Sequence, residues 1–176
     1  MQTLYDIVME YVQGGQLLEW DDNNKTFSNR SYTGFLPEEN LRLIFNGIIK
    51  GLDYRKELFL YKKWLTLLEV HSKGIIHRDI KLQNILLDKH KRPKIVDFGS
   101  AVHLKDPFKD SQKSSEGTRL FMAPEIVGKN VPLDGYSGKA ADIWAMGVTF
   151  YALTFHCLPF YHDNLLELYD QIETQP

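Results

Sequence analysis

Cysteine is nearly absent. Cys157 is the only one in 176 residues, so no intrachain disulfide can form and a reducing compartment is the expected setting. An excess of one charge is missing too: 21 Lys and Arg stand against 23 Asp and Glu, a formal net charge of −2, which gives no electrostatic footprint for nucleic acid. Long hydrophobic runs are also lacking. The longest apolar stretch, residues 143–155, falls short of the ~20 needed to span a bilayer and reads as a buried helix. No signal peptide is evident at the start, no internal repeat is found, and the six histidines show no metal-ligand spacing. What is present suits a packed interior: 43% hydrophobic and 25% charged residues over this length can bury one core, so residues 1–176 read as one domain or most of one. A cytoplasmic location is expected, where the glycosylation-like Asn29-Arg30-Ser31 stays unmodified.

Residues 4–12 carry β-branched Ile7, Val8 and Val12 and are expected to form a strand that ends before Gly14-Gly15. Residues 21–34 are polar and turn-rich and read as a loop. Pro37-Glu38-Glu39 opens a helix, with proline near the first turn and acids at the positive end of the dipole. Leu41, Ile44, Phe45, Ile48, Ile49 and Leu52 then fall on one apolar face.

Three signals follow in order: His77-Arg78-Asp79-Ile80-Lys81-Leu82-Gln83-Asn84, then Asp97-Phe98-Gly99, then Ala123-Pro124-Glu125. Alone, each has an ordinary reading as a solvated charge or a turn residue. Together they resemble the catalytic loop, the magnesium loop and the end of the substrate loop of a eukaryotic protein kinase, and the likeness covers nearly the whole chain. Phosphoryl transfer is mostly positioning and charge neutralisation. It needs a carboxylate to orient the attacking hydroxyl and hard oxygen ligands for Mg²⁺.

The resemblance implies the roles. Asp79 would be the base or orienter, Lys81 would hold the γ-phosphate of ATP, and Asn84 and Asp97 would ligate Mg²⁺. Met9 would be the gatekeeper, Glu10 and Val12 would offer hinge backbone groups to adenine, and Leu86 would pack beneath it. A lysine two residues after the aspartate looks like the serine/threonine kinases. Leu82 departs from the family's usual proline but touches no catalytic atom. Ser111, Ser114, Ser115 and Thr118 fall where the family has its activation segment. Arg78 could bind a phosphate placed on one of the serines, whereas Thr118 resembles the substrate-loop threonine that meets the catalytic Asp and Lys. Asp142 resembles the helix carboxylate that bonds to the catalytic-loop backbone.

The fold implied is α+β: the mainly helical large lobe of the kinase fold, with the small lobe almost entirely missing. No G-x-G-x-x-G loop and no V-A-I-K-type lysine occur. Residues 55–69 look inserted, because Gly51-Leu52-Asp53-Tyr54 and Val70-His71-Ser72 are continuous in the family. The stretches 121–125, 137–149 and 158–160 are similar to the calcium/calmodulin-dependent protein kinase kinases. That likeness implies a protein substrate that is itself a kinase, and calmodulin as a partner of the complete protein. Against the enzyme stand two alternatives: a non-catalytic kinase-like scaffold, and an incomplete gene product inactive alone.

Overall fold

The structure, a computed structural model, describes residues 12, 15–28, 36–49, 67–90, 92–128 and 132–175. The expected strand over 4–12 therefore lies outside the described residues, except for Val12.

The stretch read as a loop over 21–34 partly folds. Strands β1 (Glu19–Asp21) and β2 (Thr26–Ser28) form an antiparallel hairpin in which Trp20 pairs with Phe27. Their rings meet edge to face at 4.8 Å. The turn is stabilised locally, since the Asp21 carboxylate accepts from the backbone N–H groups of Asn23 and Asn24 and Lys25 adopts a left-handed φ of 54°. Turn-rich composition hid a hairpin whose only strong apolar residues are two aromatics.

Helix α1 (Glu38–Ile49) begins just after Pro37, as the sequence predicts. Ile44 is buried, and Phe45 meets Phe150 edge to face at 4.3 Å. Helix α2 (Leu67–Ser72) starts inside the stretch read as inserted. Leu67 and Val70 are both buried, so the last residues of 55–69 serve the fold, and residues 55–66 lie outside the described residues.

Short antiparallel ladders then carry the chain through its motifs. β3 (Ile75–Ile76) pairs with β6 (Val102–His103), and β4 (Ile85–Leu87) pairs with β5 (Pro93–Ile95). Between β4 and β5 the buried Asp88 accepts from the N–H groups of His90 and Arg92 and from Arg92 Nε. β7 (Ser111–Gln112) pairs with β8 (Tyr136–Ser137) on either side of the short helix α3 (Pro124–Val127).

Helix α4 (Gly138–Phe155) is the axis of the packing. Ser137 caps it by accepting from Ala140 N, and Asp110 accepts from Ser137 Oγ and Lys139 N. Its buried face contributes Ala145, Met146, Val148, Ala152 and Leu153 to a core that also takes Ile44, Leu67, Ile80 and Ile85. The sequence expectation of a buried helix over 143–155 needs correcting on one side. Ile143, Gly147, Tyr151 and Phe155, spaced by four, are exposed. Helix α5 (Leu165–Thr174), capped by Asn164, buries Leu168 and Ile172 against Phe160 and Trp144.

Candidate active site

The loop between β3 and β4 brings the predicted residues together because its backbone is held from behind. Buried Asp142 on α4 accepts from His77 N and Arg78 N at 2.8 Å each, and His71 Nε2 lies 2.8 Å from the same carboxylate. These contacts hold Arg78 at a φ of 67°, a left-handed conformation that is uncommon for a side-chain-bearing residue. His77 Nε2 donates to Val96 O, which leaves Nδ1 to accept from Asp79 N. Asp142 was expected in this role from the sequence. His71 was not, and its only sequence signal is a polar residue beside apolar Val70.

Asp79 is the centre of the cluster. One carboxylate oxygen accepts from Thr118 N at 3.1 Å and Thr118 Oγ1 at 2.7 Å, and the other lies 2.8 Å from Lys81 Nζ. Lys81 also donates to Thr118 Oγ1 at 2.9 Å. Burial pushes the Asp79 pKa up, but the bonds from Lys81 and Thr118 outweigh it and leave the carboxyl below its ordinary value. Gly117 supports this closeness: a Cβ there would stand 2.2 Å from Arg78 O.

The two expected metal ligands are placed side by side by the β4–β5 hairpin. Val96 N donates to Asn84 O at 2.9 Å, and Asp97 is the next residue. Asn84 is buried and its Nδ2 donates to Asp79 O at 2.8 Å, which leaves its amide oxygen to offer a cation. Asp97, at a φ of 61°, is exposed and accepts from Gly99 N through one carboxylate oxygen; its carboxylate and the Asn84 amide oxygen are hard donors of the type Mg²⁺ takes. Leu86, expected beneath adenine, is half-buried, and Leu87 N donates to Gly15 O beside a Gln16–Leu86 bridge. That brings the segment after the expected hinge against β4. Val12 is half-buried, while Met9 and Glu10 lie outside the described residues.

Arg78 reaches across to the segment that follows Asp97. Its Nε donates to Ser100 O, and its Nη1 donates to Ser114 Oγ at 3.1 Å. Of the serines named from the sequence, Ser114 is the one that meets it.

The protein kinase domain family matches residues 1–175. The chain belongs to the protein kinase family. Its relatives include CBL-interacting protein kinase 31 of Oryza sativa subsp. japonica, 36% identical over 94% of the kinase chain and 31% of the relative. CBL-interacting serine/threonine-protein kinases 16 and 1 of Arabidopsis thaliana are 35% and 36% identical, over 94% and 97% of the chain and 31% and 32% of their own lengths. The kinase chain thus spans about a third of these relatives. The family is one of phosphoryl-transferring enzymes, and these relatives are named as protein kinases, two of them as serine/threonine-protein kinases. These relatives are named for CBL interaction, not as calcium/calmodulin-dependent protein kinase kinases. The subfamily likeness read from 121–160, and the calmodulin partner drawn from it, are corrected accordingly. Among the described residues no helix is long and apolar enough to cross a membrane.

Proposed function

We propose that this chain supplies the catalytic and substrate-facing part of a cytoplasmic protein serine/threonine kinase that moves the γ-phosphoryl group of ATP to a protein hydroxyl. The observation that carries the reading is Asp79 held between Thr118 and Lys81, beside Asn84. Asp79 would orient the acceptor hydroxyl and take its proton. Lys81, now shared between Asp79 and Thr118, would turn to the γ-phosphate and free one carboxylate oxygen. When bound, Mg²⁺ neutralises phosphate charge, and Asn84 and Asp97 are the residues that would hold it. Leu86 would pack on adenine, with Met9, Glu10 and Val12 at the hinge. Phosphate on Ser114 would gain charge-assisted bonds from Arg78, giving the site a regulatory input. The kinase substrate drawn from the corrected subfamily likeness falls with it, and a CBL-type partner for the whole protein follows from the relatives' names.

The test is a chimera in which the small lobe of a CBL-interacting kinase precedes residue 1. Phosphate transfer to serine or threonine of a protein, lost in Asp79→Asn, supports the reading. A well-folded chimera that binds ATP and Mg²⁺ but transfers nothing overturns it. The second reading is a non-catalytic kinase-like scaffold. Protein binding that survives Asp79→Asn unchanged, without transfer, would select it.

A further inference from the structure

Residues 114–118 are pinned mostly to the loop they face. Ser114 Oγ is held by Arg78, Gly117 packs on Arg78 O, and Thr118 is bonded to Asp79. These bonds join two loops to each other and fix neither to the frame. One contact in this run is of a different kind. Tyr136, at the base of α4, donates its hydroxyl to Ser114 O at 2.6 Å. Tyr136 is 7% exposed, and burial pushes its hydroxyl pKa up, so the group stays protonated and able to donate. Six residues on, within α4 itself, Asp142 holds His77 and Arg78.

We infer that Tyr136 is a positioning residue: its hydroxyl ties the Ser114 backbone to β8 at the base of α4, so that the continuous β8–α4 unit holds both walls of the site, the catalytic loop through Asp142 and the facing segment through Tyr136. The Ser114 carbonyl is the anchored atom, which leaves its Oγ pointed at Arg78. Losing the tie would let 114–118 shift as a unit, and with it Thr118 on Asp79. The inference rests on the reading of Asp79 as catalytic only for its consequence, because the tie itself is a matter of structure.

The test is residue-resolved hydrogen exchange on the 176-residue chain, which needs no catalysis and so fails or succeeds independently of the kinase reading. Tyr136→Phe removes one oxygen atom and should speed exchange of the Thr118 amide, which is bonded to Asp79, about fivefold, the factor expected for one lost hydrogen bond. Amides within α4 should be unchanged. Placing 4-aminophenylalanine at 136 returns a donor at the same point and should restore protection. Unchanged exchange at Thr118, acceleration spread equally through α4, or failure of the donor to rescue would each overturn the inference.

Discussion

Asp79 keeps its charge against its own burial, because Lys81 and Thr118 contribute more than desolvation removes. A carboxyl whose folded pKa is depressed adds stability that is present above its unfolded value, near 3.9, and lost as pH falls through the lower folded value. Asp79 should therefore contribute no acid limb to phosphotransfer between about pH 5 and 8, which a rate profile on the chimera would check. Asp79→Asn in the chimera should lower the transfer rate by about 10²–10⁴-fold while leaving nucleotide binding intact. Asp97→Asn should act differently, weakening Mg²⁺-dependent nucleotide binding itself, whereas Ser114→Ala should change regulation at most. Titration calorimetry with and without Mg²⁺ separates these cases, and unchanged Mg²⁺ dependence in the Asp97 variant would sink that assignment.

Among the elements, α4 matters most because it holds the site as well as the core. Its N-terminal cap is completed from a distance by Asp110, whose pKa burial raises but the Ser137 and Lys139 bonds lower further, for a net decrease. Asp110→Ala should cost about 1 kcal/mol of stability at pH 7. The depressed pKa sets the sign: the penalty should be full above the ordinary carboxylate value and shrink as pH falls below it, as urea melts at pH 7 and pH 3 would show. Helix α2 gives a second measurement. Leu67 is 6% exposed in the main core, so Leu67→Ala should cost roughly 2–5 kcal/mol. Deleting 55–66 while keeping Leu67 should leave the melting temperature unchanged or higher if that stretch is an insertion. A clear drop would end the insertion reading.

For the whole molecule, the expectation concerns what residues 1–176 do unaided. They contain no phosphate-covering loop and no V-A-I-K-type lysine, so the chain alone should show negligible transfer from ATP. Robust transfer by the isolated chain, abolished by Asp79→Asn, would refute this. Exposed Ile143, Tyr151 and Phe155 belong to the same scale. Apolar residues at every face of α4 made it read as wholly buried, yet which faces are covered depends on what packs there, and periodicity carries no record of that.

The sequence by itself determined the family likeness. Asp79, Lys81, Asn84 and Asp97 stood out because they fall in motifs that match the kinase family in order, and α1 was legible because its proline, acids and apolar spacing are local signals. Only the tertiary structure decided who holds them. His71 on Asp142, Tyr136 on Ser114 and Asp110 on the α4 cap join residues 71, 22 and 27 positions apart. A hydrogen bond across that distance leaves no periodic trace in the chain. The hairpin at 19–28 was missed for the opposite reason: its signal is local but carried by one aromatic pair, too little apolar alternation to stand out from a turn-rich stretch.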